Sequence, residues 1–369
     1  MKHEKIAAPT EIVVYDALDA LERIRPAWDD LLAAAERHSM TSAFPYVRCA
    51  WTVWGQDRRR KLSVIGAWRG ETLAGIWPLC VSRRLIGTVA DHLGDGSTHQ
   101  YAGPVLRDDD RAAETAEAMF AVARDLADVL HVQNLRGGTQ AHAVVAGKGG
   151  FRRFRGVDAP VVRLDGFSGW EAWTATKSQS FRYSLRVDRK KLAAQGELLF
   201  VEMTEPAEAR RLVDWLVDTK QAQLKAKGLM RSYLWKPQLR AVLLALAEAG
   251  PDSGAMFHAL TLDGAIIAAS ICVLGSDVLE YHYFAVDPDY AAFSPGNLIT
   301  QECLGLAIRH GRDLDFRLSR EAYKLRWAPE TSNRYESFFI ACSPLGRVAV
   351  VCDALWLRAD HYLEKAGYR

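Results

Sequence analysis

The sequence predicts an α/β (α+β) chain built as two tandem domains, each a mixed sheet flanked by helices. Three observations carry that expectation. The chain has 369 residues, long for a single hydrophobic core. Strand patterns alternate with helical ones, as in layered helix-on-sheet domains. An amphipathic helix and then a hairpin also occur in each half, in the same order.

Residues 17–35 repeat apolar side chains at helical spacing around Trp28, and residues 206–226 do so around Trp215. Leu62 to Val81 reads as a hairpin turning near Arg69-Gly70-Glu71. Ala255 to Val273 reads as another, turning at Asp263-Gly264, a dipeptide suited to the tight turn that matches strand twist. Both hairpins finish on an apolar residue and Cys-Val, at Leu79-Cys80-Val81 and Ile271-Cys272-Val273. A recurrence this long fits a duplicated domain better than a solenoid. Pro160, Gly166 and Gly169 punctuate the chain between the halves, giving an N-terminal domain over 1–165 and a C-terminal one over 166–369. Ser168 with Glu171 reads as a capping box. A basic helix follows over Ser180 to Ala194.

Composition narrows the function. Apolar residues make up 49% and charged residues 25%, with a formal net charge of +2. Such a mild charge does not by itself imply nucleic-acid binding. Met1 to Thr10 is polar and no apolar run is long enough to span a bilayer, so no leader or transmembrane segment is expected and a cytoplasmic location is. The six cysteines form no Cys-x-x-Cys pair and stand at no zinc-ligand spacing with histidine, so buried free thiols are expected and no metal. There is no Walker loop, dinucleotide fingerprint or nucleophile elbow.

The stretch from Val286 to Trp327 is the most informative. Ser294 suits an N-cap, Pro295 the first helical position, and Gly296 leaves the first turn without a side chain. Ile299, Cys303, Leu306 and Ala307 continue a helix that Gly311 ends. A short strand follows, with Leu314 and Phe316 on one face and Asp315 and Arg317 on the other. A bare helix start between two strands is able to hold a phosphate. Ser294-Pro295-Gly296-Asn297 therefore has two readings, a plain helix cap or a pyrophosphate cradle.

Ser-Pro-Gly, a helix, Asp-Phe-Arg, then Tyr323-Lys324 and Arg326-Trp327 resemble the CelD/BcsL-like branch of the GNAT acyltransferases, relatives of the FemABX aminoacyltransferases. The resemblance runs from about residue 11 to about residue 355 and is most specific from Asp315 to Trp327. It implies a GNAT fold for each half, with the donor site in the C-terminal one and the N-terminal one degenerate. It also implies acetyl-CoA as acyl donor and an amino sugar of a bacterial exopolysaccharide as acceptor. Family members carry a glycine-rich acidic segment where this chain has Leu318-Ser319-Arg320-Glu321. They also carry several glycines and a basic residue at the cradle, where only Gly296 remains. The cradle is thus reduced, which leaves room for an aminoacyl-tRNA donor or for a non-catalytic protein that binds a nucleotide.

Candidate roles follow from chemistry. Acyl transfer to an amine needs a proton acceptor, and His282 and Glu280 alternate onto one face of the strand 279–284, opposite Tyr281 and Tyr283. Asp315 and Tyr323 are further candidates for proton handling, while Lys324 and Arg326 suit phosphate or saccharide oxygens and Tyr281 the substrate. Tyr101 closes the polar stretch from His92, which is either a plain loop or one wall of a cleft between domains. The basic run Arg182, Arg186, Arg189, Lys190, Lys191 is either a solvated face or a contact for tRNA or a cyclic dinucleotide.

Overall fold

The computed structural model describes residues 9–35, 37–94, 101–147, 151–228, 233–329 and 331–352. Its strands are β1 (Thr10–Tyr15), β2 (Arg60–Arg69), β3 (Thr72–Arg83), β4 (Thr88–His92), β5 (Val105–Leu106), β6 (Val129–Arg136) and β7 (Phe151–Val162). They continue with β8 (Leu198–Glu202), β9 (Ala255–Leu262), β10 (Ala265–Leu274), β11 (Val278–Val286), β12 (Asp313–Asp315) and β13 (Ser332–Ala341). All join one mixed sheet ordered β1-β2-β3-β4-β6-β13-β7-β12-β11-β10-β9-β8, with β5 beside β3.

That order is nearly palindromic. In each half an antiparallel run of four strands is extended by a parallel neighbour, β6 beside β4 and β12 beside β11. The centre is an exchange: β13, from the end of the chain, pairs with β6, while β7, from the first half, pairs with β12. β7 and β13 then pair with each other. Helices cover both faces. One core joins the halves, with Trp28, Phe44 and Leu62 packing in the same cluster as Leu212, Val242 and Tyr283. A second lies under the Pro295–Arg309 helix and holds Leu298, Cys303, Leu314 and Trp327.

Both predicted hairpins form, as does the continuous helix Pro206–Ala226. The predicted helix 17–35 is instead two, Leu18–Arg23 and Arg25–Ala34. Pro26 lies in the first turn of the second, and its missing N–H interrupts the ladder there. Ser168 does not cap the next helix: Gly169 holds that position without a side-chain bond, and the helix is only Trp170–Ala175. The basic helix runs Gln179–Ala193, capped by Ser178, whose side chain accepts from the Phe181 N–H.

The β9–β10 turn offers a clean conformational test. Asp263 and Gly264 have φ of 49° and 80°, and a Cβ on Gly264 would meet nothing within 4 Å. Gly264→Ala should therefore cost only left-handed strain, about 1–2 kcal/mol. Urea denaturation is the check, and an unchanged midpoint would contradict that reading of the turn.

Candidate active site

β11 and β12 run parallel and pair only over Val278–Glu280 with Asp313–Asp315. Two local irregularities then drive them apart. After Asp315 the chain passes through Arg317 and Ser319 at φ of 63° and 89°, left-handed values that cannot continue a strand. On the other side, Cys272 faces Tyr281 and Ile271 faces Tyr283, so His282 is an extra, bulged residue in β11. The bulge also overturns the expected alternation. Tyr281 stacks on Phe284, with centroids 5.4 Å apart, while Tyr283 packs in the core on the opposite face.

A cleft of about 420 Å³ opens where the strands part. His282 and Phe284 come from β11, Phe316 and Arg317 from the chain just past β12, and Tyr323 and Lys324 from the short helix Ala322–Trp327. Lys220, within the Pro206–Ala226 helix, and Lys227, its C-cap, complete the wall. Lys220 stands 4.6 Å from the Phe284 ring centroid, and Tyr323 packs 5.1 Å from the same ring.

Beside the cleft lies a buried charge network. Register places Glu280 opposite Asp315, and both are fully buried. The Arg317 guanidinium bonds the Glu280 carboxylate and lies 3.9 Å over the Tyr101 ring. His282 Nε2 is 3.0 Å from the same Glu280 oxygen. Asp315 accepts from the Tyr101 hydroxyl at 2.9 Å, the Tyr335 hydroxyl at 3.3 Å and the Arg317 N–H at 2.6 Å. Tyr101 and Tyr335 stack at 4.0 Å. The first half and the exchanged strand β13 therefore both contribute to a network centred on the second half.

Environment separates the titratable groups. Burial pushes the Glu280 carboxyl up, but Arg317 and His282 outweigh it and hold the group at about 2. Burial raises Asp315, and the Glu280 charge adds to the effect. Burial and the neighbouring Arg317 lower His282 to about 4, against the pull of Glu280. Its ring is therefore neutral at pH 7. Glu280, being ionised, only accepts, so His282 carries its proton on Nε2 and its lone pair on Nδ1. Burial lowers Lys324 to about 8. Its Nζ is 2.6 Å from the Leu318 carbonyl and 3.0 Å from Ser319 Oγ.

The Pro295–Arg309 helix start is organised separately. Ser294 adopts φ 56° and ψ 45° and makes no side-chain cap, contrary to the expected N-cap geometry. Pro295 is buried at the first helical position, and a Cβ on Gly296 would meet Val286 Cγ2 at 3.3 Å. The Asn297 amide donates to Asp188 at 2.9 Å and accepts from Arg326 at 3.2 Å, while Arg326 also donates to Ser184 at 2.7 Å. The polar side chains at this helix end are thus tied to the Gln179–Ala193 helix.

Of the residues singled out in the sequence, Glu280, His282, Asp315 and Tyr101 share the charge network. Tyr281, Tyr323 and Lys324 line the cleft. Ser294, Pro295, Gly296, Asn297 and Arg326 stand at the helix start. Of the loop after His92, Asp95–Gln100 lie outside the described residues. Tyr335, Lys220 and Lys227 are absent from the sequence reading, and Arg317 enters it only beside Asp315 on a strand face, with no role. Only Arg317 carries a signal, as the last residue of Asp-Phe-Arg; the others reach the site through long-range packing.

Residues 179–325, which span the cleft, match the family described as Acetyltransferase (GNAT) domain. They are a GNAT acyltransferase domain. No curated protein matches the chain. Among solved structures, FemX superposes with a TM-score of 0.65 at 11% identity, covering 92% of this chain and 99% of that one. A tandem GNAT protein from the clavulanic acid biosynthesis pathway gives 0.52 at 14%, covering 91% and 99%. L-PGS from Bacillus licheniformis gives 0.52 at 11%, covering 85% and 91%. At such identities these are likenesses of fold, and they extend the GNAT architecture into a tandem. No helix among the described residues is long and apolar enough to cross a membrane.

Proposed function

We propose that this acyltransferase moves an acyl group, most simply acetyl from acetyl-CoA, onto an amine, with an amino sugar of a bacterial exopolysaccharide or its lipid-linked precursor as acceptor. The cleft between the parted strands carries this reading. Phe284, Phe316 and Tyr323 offer an apolar slot for the thioester arm, and Lys220 and Lys227 offer positive charge to a diphosphate. That charge takes the place of the glycine-rich turn that the sequence lacks. A cytoplasmic setting, where acyl-CoA is made and used, suits the reaction.

In the proposed step the amine nitrogen attacks the thioester carbon, a C–N bond forms and the C–S bond breaks. The departing thiolate takes a proton from the Lys324 ammonium, which recovers one from the attacking nitrogen. Burial brings Lys324 to about 8, close to neutrality, against about 4 for His282 and about 2 for Glu280. Proton transfer is most effective when the catalytic pKa lies near the working pH. Glu280, Asp315 and His282 then serve as a fixed charge frame that holds Arg317 and the cleft wall.

A second reading, FemABX-like transfer from a charged tRNA, is favoured by the extent of the FemX likeness and by the tied helix start. Thermal-shift titration separates the two, because a ligand that binds only the folded chain raises its melting temperature. Acetyl-CoA is expected to raise it, and the Lys220→Ala/Lys227→Ala pair to weaken that binding by about tenfold or more, from lost charge-assisted contacts. A response to aminoacyl-tRNA alone would favour the second reading. A response to cyclic dinucleotides alone would favour a non-catalytic nucleotide-binding protein.

A further inference from the structure

Behind the cleft, in the core between the sheet and the Pro295–Arg309 helix, His258, Cys272 and Cys303 converge. Their ligand atoms all lie within 4.8 Å of one another, and all three residues are fully buried. They come from β9, β10 and the helix respectively. The two sulfurs are 3.9 Å apart, and the Ser270 hydroxyl lies 3.3 Å from Cys303 Sγ. Among the described residues, neither imidazole nitrogen of His258 has a hydrogen-bond partner.

We infer that His258, Cys272 and Cys303 bind a thiophilic d¹⁰ cation, Zn(II), as an internal clamp. A buried polar ring without a partner is rare and costs free energy, and a metal takes up the lone pair that a neutral imidazole carries. The sulfur separation matches the edge of a tetrahedron with bonds of about 2.3 Å, which is about 3.8 Å long. A dication with two thiolates and one imidazole carries no net charge, so it suits an apolar surround where an isolated ion would not. The Ser270 hydroxyl completes the polar lining. The ion would fasten β9 and β10 to the helix whose first turn packs on Val286, fixing the wall behind the cleft. The site is independent of the acyl-transfer reading.

The test uses the full untagged chain. Elemental analysis is expected to find about one zinc per chain. Refolding with Co(II) is expected to give a thiolate-to-cobalt charge-transfer band and the intense visible bands of a tetrahedral centre. Cys272→Ala and Cys303→Ala should each abolish the thiolate band, with circular dichroism reporting whether each variant folds. Folded wild-type protein with neither zinc nor the cobalt band would overturn the inference. So would a band that survives in either folded variant. If neither variant folds, the wild-type metal content and cobalt spectrum decide alone.

Discussion

Lys324→Met is expected to lower kcat for acyl transfer by about 10²- to 10⁴-fold and to leave the melting temperature no lower than that of the parent. The first half follows from the proposed proton transfer to the leaving thiolate. The second follows from the energetics of burial. Lys324 is only 5% exposed, and its pKa falls from 10.5 to about 8. That difference corresponds to on the order of 3 kcal/mol against the charged form. Between pH 8 and 10.5 the unfolded chain binds more protons at this site than the native one, so its contribution to stability rises with pH across that window. The rate moves the other way, because the ammonium is the active form. Parent kcat should fall as pH rises through about 8, and the variant should lack that limb. Thiol release from acetyl-CoA across a pH series gives both readings. A variant within a few-fold of the parent, or one that keeps the limb, would remove Lys324 from the chemistry.

Arg317→Met is expected to destabilise the fold by about 3–5 kcal/mol, the range for breaking a buried ion pair from one side. Glu280 and Asp315 would remain side by side in the interior without the guanidinium that balances them. Urea denaturation measures the effect, read from the midpoint at constant slope. Adding Glu280→Gln should restore part of the loss, since a neutral amide needs no counter-charge. The pair also predicts an acid limb. Glu280 is lowered from 4.5 to about 2, so its contribution is complete above about pH 4.5 and disappears as pH falls toward 2. Arg317→Met should flatten that limb. A variant as stable as the parent at pH 7 would mean the network is not the structural centre of the site.

What was legible in the sequence was local. The turn at Asp263-Gly264, the apolar stripe of 206–226 and the Pro295 helix start each signal through neighbours a few residues apart. The bulge at His282 was not legible, because an inserted residue leaves the composition of a strand unchanged and only its pairing shows it. Pro26 was visible, yet the helical periodicity on both sides hid the break. The Tyr101–Asp315–Tyr335 contacts join positions far apart in the chain, which no spacing pattern encodes. The same holds for His258, Cys272 and Cys303: each sits in an apolar run, and topology alone brings them together.

The exchanged central strands bear on how the chain is made. Until Ser332–Ala341 has left the ribosome, β6 has no partner on that side and β7 lacks the neighbour that links it to the first half. Emergence from the N-terminus would ordinarily let a leading unit mature first. Here that unit must wait until Ser332–Ala341 has been made, with an unpaired edge open to other chains meanwhile. Synthesis and completion of the sheet are therefore separated in time, and this interval is where chaperones and crowding would act on the protein.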